Sequence, residues 1–153
     1  MQTSEPIIRI SVRDQRLELV SGASVLSSYP ISTSRFGLGS EEGSMKTPLG
    51  KFKIGEKIGA GMPSGAVFRS RIPLAPGDAP PPSNDLVLSR ILWLDGLEEH
   101  NANTRDRFIY IHGTNHEEEI GQPASHGCIR MKNADLIALF DQVPMGAEVV
   151  IET

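Results

Sequence analysis

Apolar and polar positions alternate from the start of the chain. Between Ile7 and Val12 the apolar residues Ile8, Ile10 and Val12 fall on one face, and after Arg13, Asp14 and Gln15 the alternation resumes through Leu17 and Leu19 to Val20. Successive side chains of a strand point to opposite faces, so this period of two predicts a β-hairpin with one buried face. Ser21-Gly22 turns the chain, and residues 25–32, with Tyr29 and Ile31, predict a third strand. A meander of this kind predicts an antiparallel sheet.

Residues 33–50 are rich in Ser, Gly and Glu and end in Thr47-Pro48-Leu49-Gly50, which suits a type I turn of purely structural duty. Residues 51–58 alternate again through Phe52 and Ile54. Residues 59–85 are the least regular stretch and include the proline run of residues 80–82; residues 66–72 predict a short strand within it. A loop this long in a compact domain is commonly functional, so it is read as a lid or wall over a site, with a solvated excursion as the alternative. Strand character returns over 85–93 and 107–111. Leu136, Leu139, Phe140 and Val143 then recur at helical spacing behind a capping stretch, Lys132 to Asp135, until Pro144 stops the helix. Residues 147–151 form a last strand. The prediction is a mainly β domain, a β-sandwich of mixed sheets with one capping helix.

At 153 residues the chain has the size of a single domain, 1–153, long enough to bury a core. A net charge of −4 gives no electrostatic case for nucleic acid, and no apolar run is long enough to span a bilayer. The first residues, Met1 to Pro6, carry neither a basic start nor an apolar stretch, so a cytoplasmic location is expected, or the periplasm or cell wall if a leader has been removed. One cysteine excludes an internal disulfide.

That cysteine, Cys128, changes the picture. It stands in Ser125-His126-Gly127-Cys128-Ile129-Arg130-Met131, shortly after Ile111-His112-Gly113-Thr114-Asn115. A thiol is a nucleophile only as thiolate, and a neighbouring imidazole or set of N–H donors favours that form. Two imidazoles are close in sequence, and the pairing is the Cys/His half of an acyl-transfer site. A small buried hydrophobe is the alternative for Cys128, as are a loop position for His126 and a core position for His112. A zinc shell of His112, His116, His126 and Cys128 is disfavoured by spacing, because Gly113 to Asn115 reads as a turn and His116 leads into three glutamates. No metal and no cofactor are expected.

These two motifs, together with Ile120-Gly121, Thr47-Pro48-Leu49-Gly50-Lys51-Phe52 and Val143-Pro144-Met145-Gly146-Ala147, strongly resemble the L,D-transpeptidase catalytic domain, the YkuD family, over nearly the whole chain. The resemblance implies peptidoglycan stem peptides or muropeptides as substrates and a thioester intermediate formed on Cys128 with loss of terminal D-Ala. It implies His112 as base, with its ring oriented by the carbonyl of Gly113. Gly127 and Cys128 would offer N–H groups to an oxyanion, while His126 and Ser125 would shape the loop. Arg130 either binds substrate carboxylates or forms an internal salt bridge. Arg69, Arg71 and Arg90 are further carboxylate contacts without motif support. With water as acceptor the enzyme is an L,D-carboxypeptidase, the outcome favoured for a signal-less chain and fitting muropeptide recycling; with an amine it is an L,D-transpeptidase making 3–3 cross-links.

Overall fold

The computed structural model describes residues 5–79, 81 and 83–153. Met1 to Ser4, Pro80 and Pro82 lie outside the described residues, and with them most of the N-terminal stretch and of the proline run considered above.

Strands β1 (Ile7–Ser11), β2 (Arg16–Ser21) and β3 (Ser24–Ser32) form the expected antiparallel meander. Then come β4 (Gly50–Ile58), β5 (Val67–Arg69), β6 (Ile72–Pro73), β7 (Val87–Gly96), β8 (Tyr110–Gly113) and β9 (Ile129–Met131), followed by helix α1 (Asn133–Gln142) and β10 (Glu148–Glu152). Hydrogen bonding runs in the order β4-β10-β1-β2-β3-β9-β8-β7-β5-β6, and β4 also pairs with β7. The expected mainly β architecture of mixed sheets with one helix is built as one hydrogen-bonded ladder closed through β4 and β7. Among the described strand pairs only β1–β10 and β8–β9 are parallel. Closure leaves most of these strands without a free edge, which removes a template for unwanted pairing.

Inward positions such as Ile8, Ile10, Leu17, Phe52, Leu92 and Ile111 meet Leu136, Leu139 and Phe140 of α1 in one core. Each such side chain is worth about 1.5–3 kcal/mol when fully buried, so α1 is held by packing against β7 and β8 rather than by its own propensity. Its N-terminus has no cap from Lys132. The Glu117 carboxylate takes that place from a distance, accepting the Asn133 N–H at 2.7 Å. At the other end, Lys57 Nζ donates to the carbonyls of Phe140 and Val143, both at 2.6 Å.

Two local readings need correction. Residues 66–72 form not one strand but the hairpin β5–β6. Ser70 (φ 49°) and Arg71 (φ 69°) both lie in the left-handed region, as a tight mirror-image hairpin turn requires. Thr47 to Gly50 is not a type I turn: the Thr47 N–H donates to Gly37 O (3.1 Å) and its carbonyl accepts from Gly39 (2.9 Å), so the backbone there is spent on an extended bridge.

Candidate active site

Strands β8 and β9 build the site. Their parallel register sets Ile111 beside Ile129 and His112 beside Arg130. Ile111, Ile129 and Met131 face the main core, so alternation turns Tyr110, His112, Cys128 and Arg130 to the other face. There Cys128 packs with Tyr110, Phe68, Ile91 and Trp93 in a second, smaller cluster. Cys128, immediately before β9, and His112 of β8 are thus diagonal neighbours on one face.

The imidazole of His112 is buried, and its Nδ1 lies 2.6 Å from the Gly113 carbonyl. That carbonyl can only accept, so the proton sits on Nδ1 and Nε2 is left as a base. Gly113 is glycine for steric cause: a Cβ there would stand 2.2 Å from Asn133 Oδ1 and 2.7 Å from Leu88 O. Burial pushes His112 below the ordinary imidazole value and Arg130 adds to this, while the Gly113 carbonyl and the Asp85 charge pull the other way. The ring is therefore neutral at neutral pH, which a general base requires.

Cys128 is partly buried, accepts the Tyr110 N–H at Sγ (3.3 Å) and donates to Phe108 O (3.3 Å). Burial pushes the thiol up to about 11, helped by Asp85 and opposed by the Tyr110 N–H, Arg130 and Arg107. This resting site holds a thiol and a neutral imidazole rather than a preformed ion pair. Alkylation of Cys128 by iodoacetamide is accordingly expected to speed up with pH beyond about pH 9 without levelling off near neutrality. A plateau reached below about pH 8 would contradict the neutral pair.

The loop before Cys128 is braced from several sides. Ser125 Oγ donates to Cys128 O (2.5 Å) and accepts from Gly127 N (3.3 Å). Buried Thr47, expected to have structural duty only, accepts from Ser34 N (2.9 Å) and donates to Gly127 O (3.0 Å). Gly127 itself has φ +127°, a conformation that L side chains rarely adopt. Its N–H, assigned to an oxyanion in the sequence reading, here points to Ser125 Oγ; that long bond must yield before the amide is offered to substrate.

Arg130, expected either to bind substrate carboxylates or to form an internal salt bridge, forms the salt bridge here and also lines a hollow. It is 2% exposed, with Nη2 2.9 Å from Asp85 Oδ2 and Nη1 3.1 Å from Glu119 Oε2, so the internal salt bridge is the arrangement observed. Burial acts to raise the Asp85 carboxyl, but Arg130, His112 and His126 outweigh it and hold the group below the usual carboxylate range. His126 Nδ1 stands 3.1 Å from the same Asp85 oxygen, and Arg35 donates to its Nε2 at 3.3 Å. Asp85 and Glu119 escaped the sequence reading because one ends an irregular segment and the other sits in an apparently solvated run of glutamates. An acid placed just before a strand was the only local signal.

The four residues of the zinc alternative do not converge. His112 Nδ1 faces Gly113 O, His126 lies between Arg35 and Asp85, and Cys128 faces backbone groups. Among the described residues the one grouping suited to a metal is His116, Glu118 and Glu119, none of them on the thiol.

His126 separates two hollows. One, of about 350 Å³, contains Cys128 and is lined by Met45, Arg107 and Phe108 among others. The other, of about 420 Å³, is lined by Arg35, Asp85, Glu119 and Arg130, with Ser83 and Asn84 from the end of the segment read as a lid or wall. From that same segment Arg71 stacks over Trp93 and Phe108, at 4.8 and 5.1 Å to the ring centroids, and donates to Tyr110 Oη at 3.0 Å. Arg90, in contrast, is buried on the carbonyls of Met62 and Ser89.

This geometry, a cysteine and a carbonyl-oriented histidine on adjacent strands, coincides with a family match: the model of the YkuD L,D-transpeptidase catalytic domain covers residues 5–151. The chain belongs to this family. The putative L,D-transpeptidase YkuD of Bacillus subtilis (strain 168) is 30% identical over 144 residues, covering 94% of this chain and 64% of that protein. The putative L,D-transpeptidase YqjB of the same organism is 48% identical over 52 residues, 33% of this chain and 30% of that protein. Among solved structures, the L,D-transpeptidase (residues 123-326) from Xylanimonas cellulosilytica DSM 15894 has a TM-score of 0.65 at 20% identity, covering 99% of this chain and 62% of that one. An L,D-transpeptidase from Mycobacterium smegmatis has a TM-score of 0.65 at 18% identity, covering 98% and 59%. At such identities the two structures speak to the YkuD fold alone. The chain spans 64% or less of the length of each of these four proteins.

Proposed function

We propose that this YkuD domain is a cysteine acyl-transfer enzyme that acts on peptidoglycan stem peptides at the L,D bond before a terminal D-Ala. The observation that carries the proposal is the placement of Cys128 diagonally across the β8–β9 ladder, on the same face, from a buried, neutral His112 whose Nδ1 is tied to Gly113 O. In the first half-reaction Sγ bonds to the scissile carbonyl carbon as the thiol proton passes to His112 Nε2. The C–N bond then breaks, His112 returns the proton to the departing amine, and D-Ala leaves a thioester on Cys128. In the second half-reaction an acceptor gives its proton to His112 and takes the acyl group, restoring the thiol.

Water as acceptor makes the enzyme an L,D-carboxypeptidase that releases tripeptide and D-Ala from muropeptides. The partial exposure of Cys128, between the exposed side chains of Met45 and Phe108, supports access of water to the thioester. A specific observation favours the second reading, 3–3 cross-linking. The hollow on the far side of His126 carries the carboxylates of Asp85 and Glu119 and has room for an acceptor amine.

Incubation of the protein with a disaccharide-tetrapeptide and mass spectrometry of the products tests both. Tripeptide and free D-Ala without dimer is the expected result. A 3–3 linked dimer would replace the first reading by the second, and no product from either route would overturn the acyl-transfer assignment.

A further inference from the structure

Strand β7 is irregular where it passes His112. Leu88 pairs with Gly113 and Ile91 with His112, so Ser89 and Arg90 intervene on β7 between partners that are adjacent on β8. Ser89 is fully buried and has φ 72°, in the left-handed region. A bulge of this kind re-aims a side chain, and a residue stays in so sparsely populated a conformation only where its surroundings hold it there. The Ser89 hydroxyl accepts the Gly65 N–H at 2.9 Å and donates to Asn133 Oδ1 at 2.6 Å, and Asn133 Nδ2 donates to Thr114 O at 3.0 Å. A backbone N–H can only donate and a carbonyl can only accept, so the two ends of this chain fix the direction of every bond in it. The Asn133 amide, oriented in this way, also lies against Gly113, where a Cβ would stand 2.2 Å from its Oδ1. The peptide unit between Gly113 and Thr114 is thus held at both ends, and that unit carries the carbonyl on which His112 Nδ1 rests at 2.6 Å. Helix α1 does not depend on the side chain, because its cap is the Asn133 backbone N–H on Glu117.

We infer that Asn133 and Ser89 are positioning residues for the base: together they hold the Gly113 carbonyl where it keeps the proton on His112 Nδ1 and leaves Nε2 free to take the thiol proton. Neither residue lines the hollow of Cys128, so both act through the backbone. The catalytic consequence rests on the acyl-transfer reading, whereas the tautomer is a property of the resting protein and is measured without substrate.

Long-range proton–nitrogen correlation spectra of isotope-labelled protein read that tautomer, with His112→Gln identifying the His112 signals. The wild type is expected to show a pyrrole-type Nδ1 and a pyridine-type Nε2. Asn133→Ala keeps the backbone cap and places a good helix former in α1. In it both nitrogens should move toward intermediate shifts as the second tautomer becomes populated. Its kcat for D-Ala release from a disaccharide-tetrapeptide should fall by about tenfold to a hundredfold, the range seen when the groups that orient a metal-binding histidine are removed. KM should stay within about twofold, because no substrate contact is touched. Ser89→Gly removes the hydroxyl and suits the left-handed backbone, so it serves where the alanine variant does not fold. Its effects should run the same way and be smaller, since Asn133 keeps its bond to Thr114. A tautomer that stays at the wild-type signature in both variants, or a loss of thermal stability with kcat unmoved, would overturn the inference and leave acyl transfer standing. Shifted tautomers in the variants of a protein whose wild type releases no D-Ala would overturn the acyl-transfer reading and leave the positioning of His112 in place.

Discussion

Replacing Cys128 by Ala is expected to lower D-Ala release by at least about 10⁴-fold, the scale on which loss of a nucleophile is felt in a covalent mechanism. The fold should survive this change. The loop around Cys128 is held by Ser125 Oγ on the Cys128 carbonyl and by Thr47 Oγ1 on the Gly127 carbonyl, contacts that the substitution leaves in place. Two weak sulfur hydrogen bonds, to Tyr110 N and Phe108 O, and the thiol's packing on the small cluster around Tyr110 are lost. The thermal midpoint should therefore stay within about 3 °C of wild type, since roughly 1 kcal/mol shifts a domain of this size by 2–4 °C. Cys128→Ser should be nearly as inactive, because a hydroxyl is a far weaker nucleophile with no thiolate to draw on. Product formation by the alanine variant above about one per cent of wild type would remove Cys128 from the role of nucleophile.

The opening meander was legible because its strands bury one face, which leaves a period of two in the sequence: Ile8, Ile10, Leu17 and Leu19 are all inward. The same logic explains why β9 was not. Ile129, Arg130 and Met131 are all buried, so a strand packed on both faces shows no alternation. Helix α1 was legible from Leu136, Leu139 and Phe140, yet its cap was not, because Glu117 reaches it through space. The carbonyl partner of His112 lies in the adjacent residue, within reach of a local motif. Asp85 is 45 residues from Arg130 in sequence, and nothing local marks it as the partner of the most buried cation. Motifs register what is near along the chain, whereas the charge balance of this site is assembled across it.

That balance underlies the second large effect. Arg130→Ala is expected to destabilise the fold by about 2–3 kcal/mol at neutral pH, less than the loss of one member of a fully buried ion pair because the Asp85 and Glu119 side chains remain 25% and 38% exposed. Arg130 is 2% exposed and lies between Asp85 and Glu119, so its removal leaves two carboxylates facing each other without a cation. A solvated surface pair would cost under about 1 kcal/mol, and this difference makes the measurement decisive. The pH dependence separates an ionic role from one of mere packing. In the wild type Asp85 is held below its ordinary value, so its contribution is present above the unfolded carboxylate range and is lost as pH falls through the lower, folded value. In Arg130→Ala that contribution is absent, and protonation relieves the repulsion between Asp85 and Glu119. The gap between the two proteins in urea denaturation should therefore be widest near pH 7 and narrow steadily toward pH 3. A gap that stays constant over that range would mean that Arg130 acts through its volume. The ion pair would then have no part in holding Asp85 against His126.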